Sequence, residues 1–174
     1  MAQRWLTDRQ QRVWRNYLAM VTRLQTAMNR QLQAQCDVSL ADYEVLVVLS
    51  ERGELRVGEL ADELGWEQSR LSHQLGRMRA RDLVDRRGSE DDRRGATVGI
   101  TPAGAASLAA AAPGHVALVR SVLFDGMTAA QLRALDELTT TALARLDRQT
   151  SPPPQPKPRR RSSPRSGQPA MNSL

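Results

Sequence analysis

The stretch Val57–Ile100, VGELADELGWEQSRLSHQLGRMRARDLVDRRGSEDDRRGATVGI, decides the fold. It reads as two short helices around a glycine turn at Gly65, then a β-hairpin with a charged tip. In the second helix Leu71, Leu75 and Met78 fall at i, i+4 and i+7, the spacing of one buried face. The rest of that helix carries Gln68, Ser69, Arg70, Ser72, His73, Gln74 and Arg77, side chains able to hydrogen-bond base edges or phosphate. No acid interrupts residues 68–81, whereas Arg70, Arg77, Arg79 and Arg81 supply cations there. A helix this one-sided, held behind another and followed by a basic hairpin, is what a winged helix-turn-helix needs to enter a DNA groove. The expected partner of this segment is therefore double-stranded DNA.

Charge has to be divided before it is used. Of the net +6, five charges lie in Ser151–Leu174, on Lys157, Arg159, Arg160, Arg161 and Arg165, which leaves +1 for the remainder. A nearly neutral body cannot hold nucleic acid by bulk charge, so affinity has to come from cations placed locally. The tail is rich in Pro, Ser and Arg, and its low apolar content cannot offset the entropy of ordering it. Disorder is expected over 151–174, outside a domain at 1–150.

At 174 residues, with 40% apolar content, the chain suits one domain. It contains no uninterrupted run of 18 apolar residues, so no membrane partner is expected. The polar start Met1–Gln11 argues against a signal peptide. A single cysteine forbids an internal disulfide, which suits a reducing cytoplasm.

Start signals predict four helices beyond the DNA-reading pair. Thr7-Asp8-Arg9-Gln10 and Thr128-Ala129-Ala130-Gln131 fit the capping box, and Ser39-Leu40-Ala41-Asp42 is a weaker version. Thr101-Pro102 places proline where a missing N–H costs nothing. The first helix should run from about Asp8 to Gln35, with Trp14, Tyr17, Leu18, Val21, Leu24, Met28 and Leu32 on one side. Leu132, Leu135, Leu138, Ala142 and Leu146 repeat the pattern near the other end. Stripes this long at both ends suit packing across a two-fold axis, which predicts a homodimer. Pro113 should kink the alanine-rich helix that follows the hairpin, or mark the point where two helices meet. Leu83–Arg87 and Thr97–Ile100 read as two strands flanking a wing at Gly88–Gly95.

This order of elements resembles the MarR (multiple antibiotic resistance regulator) family of bacterial transcription factors, over roughly residues 8–148. The resemblance rests on Ser69-Arg70-Leu71-Ser72-His73-Gln74-Leu75, on Arg81-Asp82-Leu83-Val84, and on Asp91-Asp92-Arg93-Arg94-Gly95 running into Val98-Gly99-Ile100-Thr101-Pro102-Ala103-Gly104. Gly65-Trp66-Glu67-Gln68-Ser69-Arg70 is similar to an actinobacterial subgroup. It implies a mainly α fold with a small β-hairpin wing, a winged helix-turn-helix at about 40–100 and dimerisation helices at about 8–35 and 101–148. It also implies a cytoplasmic, nucleoid-associated homodimer that binds a pseudo-palindromic operator, commonly represses, and is released by a small amphipathic or phenolic ligand. Matching Asp92-Arg93-Arg94 to the family's D-x-R motif gives Arg94 the minor groove and makes Asp92 its orienting partner. The chain departs from the pattern at Arg56, where a Ser or Thr cap is usual, at Asp82, where glycine is frequent, and in its basic tail.

Trp14, Met20, Tyr43 and His115 are candidates to line a ligand cleft between the long helices and the DNA module. Cys36 would make the rival redox-sensor reading, but Asp37 beside it and the nearby helix C-terminus disfavour a thiolate. No metal or cofactor is expected, because the two histidines and the cysteine are far apart in sequence. Nor is an enzyme, since no nucleophile–base pair or phosphate-binding glycine loop is legible. The alternative is a winged-helix module that binds protein. Such a module has no need of a base-compatible polar stripe.

Overall fold

Each long helix begins where a side chain can cap it. The computed structural model describes residues 5–88 and 97–150; Asp92, Arg93, Arg94 and the 151–174 tail lie outside the described residues. Helix α1 (Asp8–Cys36) starts on Thr7, whose hydroxyl accepts from Gln10 N–H while Gln10 Oε1 accepts from Thr7 N–H at 2.9 Å. Helix α2 (Leu40–Arg52) has the same reciprocal box between Ser39 and Asp42, and α6 (Ala129–Thr150) between Thr128 and Gln131. Helix α5 (Pro102–Val119) starts on Thr101, which accepts from Gly104 N–H at 2.9 Å. Helix α3 (Val57–Leu64) lacks a hydroxyl cap, and Glu59 compensates by accepting from Arg56 N–H at 2.9 Å.

Helix α4 (Gln68–Ala80) follows α3 across Gly65, which holds φ at 63°. The turn after α4 places Asp82 at φ 56°, a left-handed position that the short acidic side chain tolerates. A three-stranded antiparallel sheet then forms, not the two-stranded hairpin expected. Strand β1 (Leu55–Arg56) joins β2 (Val84–Arg87) and β3 (Thr97–Ile100) in the order β1-β3-β2, with Leu55 opposite Val98. Two residues are too few to show an alternating pattern, so β1 left no trace in the sequence.

Two compact units emerge, Met1–Gly126 and Met127–Leu174. The first has its core where α2, α3, α4 and the sheet meet, around Val45, Leu46, Leu49, Leu60, Leu71, Met78 and Val98. A second cluster joins α1, α2 and α5 through Leu32, Val38, Tyr43 and Ala111. The described part of the second unit is α6, none of whose described side chains is buried.

Helix α5 takes one of the two forms expected at Pro113, a single helix and not two helices meeting there. It remains α-helical through Pro113, and the departure from α geometry comes later, in a π-helical turn at Arg120–Phe124. Pro102–Phe124 is also long and apolar enough to cross a membrane by length and composition, despite its lack of an uninterrupted apolar run. Much of that apolarity is alanine, and Ala111 is fully buried in the second cluster, so the helix docks within the first unit.

Asp42 is the one buried carboxylate among the described residues. Its Oδ2 accepts from Ser39 N–H and Oγ–H at 2.9 and 2.7 Å, and its Oδ1 pairs with Arg81 at 2.6 Å. Burial pushes this carboxyl up, but the bonds from Arg81 and Ser39 outweigh it and hold it below the usual carboxylate range. The native state thus binds this proton less tightly than the unfolded chain does. The stabilisation is complete above about pH 4 and is lost as pH falls through the folded value. Urea unfolding between pH 7 and pH 3 should show wild type losing stability more steeply than Asp42→Asn. Parallel losses would contradict this account.

Candidate nucleic-acid interface

Helix α4 turns Leu71, Gln74, Leu75 and Met78 into the core and leaves Gln68, Ser69, Arg70, Ser72, His73 and Arg77 exposed. Gln74 therefore departs from the sequence expectation. It is 4% exposed and donates to Asp42 Oδ1 at 2.5 Å, so it faces α2 and not solvent. Its polarity made it look like a reader, but a buried carboxylate across the core had claimed it. At Gly76 an added Cβ would meet nothing within 4 Å, so the backbone lies bare on the outer side. Glu67 precedes the helix without a side-chain cap bond, which leaves the first-turn amides open at the positive end of the helix dipole.

A groove of about 820 Å³ runs beside this face. Gln68, Ser72, Gly76 and Arg79 line it from α4, Arg86 from β2 and Arg56 from β1. Arg56, Arg79 and Arg86 were not singled out as contacts. Arg79 had a signal, since it lies in the carboxylate-free run, whereas Arg56 and Arg86 come into place only when the sheet forms. Glu59 and Asp62 share the groove, and Glu59 is engaged at the Arg56 amide. The arrangement is a row of short hydrogen-bonding side chains flanked by guanidinium groups, suited to an anionic polymer with readable edges.

Arg70 leaves that row. Its guanidinium lies 4.1 Å from the centroid of the Trp66 ring, a cation–π contact, and borders a second cleft of about 1030 Å³. Met28, Asn29, Tyr43, Glu44, Val47 and His115 also line this cleft. Burial pushes the Glu44 carboxyl up, with Arg70 partly opposing, and pushes the Tyr43 phenol up as well. Burial lowers His115, and its ring lies 4.5 Å from that of Tyr43. Its Nδ1 has no hydrogen-bond partner among the described residues, so the neutral imidazole keeps an unused polar atom near the cleft.

Of the four cleft candidates, Tyr43 and His115 are thus brought together, and Trp14 and Met20 are not. Trp14 stacks on Tyr17 at 5.8 Å on the open face of α1, and Met20 is 41% exposed. The sequence reading missed Trp66 and Glu44, which no periodicity distinguishes from core and solvated positions. Cys36 ends α1, partly buried beside the second core cluster.

A model of the MarR family matches residues 37–95. Among solved structures the chain is similar to AbsC, a MarR family transcriptional regulator from Streptomyces coelicolor. They share 36% identity over 83% of this chain and 99% of that one, with a TM-score of 0.76. It is also similar to Sco3205, a MarR family transcriptional regulator of the same organism solved in complex with DNA. There the identity is 37% over 82% of this chain and 90% of that one, again with a TM-score of 0.76. Bordetella bronchiseptica BpsR, whose DNA binding is regulated by 6-hydroxynicotinic acid, is alike in fold alone. Its identity is 21% over 73% of this chain and 98% of that one, with a TM-score of 0.61. None of the curated proteins matches the chain.

Proposed function

Because this chain belongs to the MarR family of transcriptional regulators, we propose that it is a DNA-binding repressor that reads a pseudo-palindromic operator as a homodimer. The observation that carries this reading is the exposed face of α4, polar and without a carboxylate, beside a groove lined by Arg56, Arg79 and Arg86. In this reading Ser69, Ser72, His73 and Arg77 face base edges and phosphate, Gln68 and Arg79 border the groove, and Arg94 of the wing enters the minor groove. Residues 1–150 form the regulator, and the 151–174 tail adds charge without sequence information. The protein works in the cytoplasm, on the nucleoid.

Release falls to a small amphipathic or phenolic ligand in the cleft of Tyr43, Trp66 and His115. The rings of Tyr43 and Trp66 along the cleft suit a flat, largely apolar molecule. Such a ligand need only prefer the state whose two reading helices are wrongly spaced for half-sites about one helical turn apart. Oxidation of Cys36 is the weaker route, because the thiol is partly buried against the core.

Selection of bound DNA from a random pool tests the reading and supplies the operator. On that operator Arg77→Ala should weaken binding about tenfold or more, the scale of one bidentate arginine contact, while changing random-DNA affinity little. Deleting residues 151–174 should lower both affinities alike and flatten the salt dependence. Equal losses on operator and random DNA for Arg77→Ala would show that α4 is not the reader. A wild-type protein that enriches no sequence would favour a protein-binding module instead.

A further inference from the structure

We propose that Gln74 is the positioning residue for Arg77, fixing from inside the core the direction of a guanidinium on the DNA-reading face. The inference rests on the DNA-binding reading of α4. It begins with Asp42, whose carboxylate is acceptor-only when ionised. Asp42 Oδ1 accepts from Gln74 Nε2 at 2.5 Å and pairs with Arg81 at 2.6 Å, while both Oδ2 bonds come from Ser39. An acceptor at that place dictates which way the buried amide lies. The NH2 end of Gln74 must point inward at Asp42, so its carbonyl end points outward, and there Oε1 accepts from Arg77 Nη2. The opposite flip would set carbonyl against carboxylate and NH2 against guanidinium, two repulsive contacts.

Arg77 is therefore oriented before any DNA arrives. A guanidinium has five N–H donors, and one spent on Gln74 leaves the others for a base edge or phosphate. An arginine held in place has less rotamer freedom to lose on binding, and a fixed fork discriminates geometry better than a free one. The anchor is itself braced. Arg81 also donates to the Asp37 carbonyl at 3.1 Å, and Asn29 of α1 accepts from Leu40 N–H at 2.9 Å. A polar chain thus runs from α1 through the start of α2 to the reading face of α4.

A buried glutamine that served packing alone would give a different result in a double-mutant cycle. Gln74→Met fills similar volume and keeps the Asp42–Arg81 pair. We expect it to lower operator affinity about tenfold, to leave random-DNA affinity within about twofold, and to add no further loss in an Arg77→Ala background. Nitrogen-15 relaxation of the Arg77 side chain in the wild-type, DNA-free protein tests the same point with no variant. Its Nε–H order parameter should approach that of the backbone, whereas the exposed Arg79 should be mobile. A loss for Gln74→Met that persists in the Arg77→Ala background, a parallel loss on random DNA, or an Arg77 as mobile as Arg79 overturns the positioning role. Failure of wild type to select any DNA sequence would instead remove the reading beneath it.

Discussion

Charged substitutions at Leu135 and Leu138 are expected to yield a monomer without measurable operator binding. Helix α6 is 22 residues long, and none of its described side chains is buried: Leu138 is 65% exposed and Leu146 56%. Helix α1 likewise leaves Trp14, Tyr17 and Leu18 open. Apolar stripes of this length call for a partner surface, and a second copy offers the same stripes across a two-fold axis. Burying one leucine contributes about 1.5–3 kcal/mol, and a dimer counts each substitution twice. Two aspartates per copy therefore remove several kcal/mol and add the cost of burying charge. Operator affinity should follow, because a dimer's second half-site binds intramolecularly and linkage of that kind is worth about 10²–10⁴-fold. Light scattering and a band-shift titration check both parts. A double variant that stays dimeric, or a wild-type protein that is monomeric at micromolar concentration, would refute it.

The second large effect is expected at Gly104. A Cβ there would lie 2.0 Å from the Leu83 carbonyl oxygen and 3.0 Å from Ile100 Cγ1. The oxygen belongs to backbone that has no room to yield. Leu83 N–H is bonded to the Met78 carbonyl, and Thr101 Oγ1 donates to the Asp82 carbonyl at 2.5 Å while its N–H reaches Leu83 O at 3.3 Å. This clamp fastens the start of α5 to the turn that ends the reading helix. Gly104→Ala should cost about 3 kcal/mol or more, the upper end of overpacking, and lower the melting temperature by many degrees. Gly126→Ala is the control, since a Cβ there meets nothing within 4 Å. Equal melting temperatures for the two variants would show that α5 shifts freely and that the clamp is not rigid.

Much of this protein is written in local sequence. Caps at Thr7, Ser39, Thr101 and Thr128 start helices because each hydroxyl satisfies amides only a few residues away. The apolar period of α4 and the left-handed turns at Gly65 and Asp82 are equally local, so the helix-turn-helix is legible in the sequence alone. Partnerships between distant residues are not. Gln74 looked like a DNA contact until Asp42, 32 residues away, took its amide. The two-residue β1 became a strand only when β3 supplied its partner. Trp14 and Tyr43 are both aromatic residues of apolar helix stripes, yet one stacks in the open and the other lines a cleft. Periodicity gives the face a side chain occupies, because that depends on its own helix. What the face meets depends on elements brought together by the core, and those contacts are set by tertiary packing.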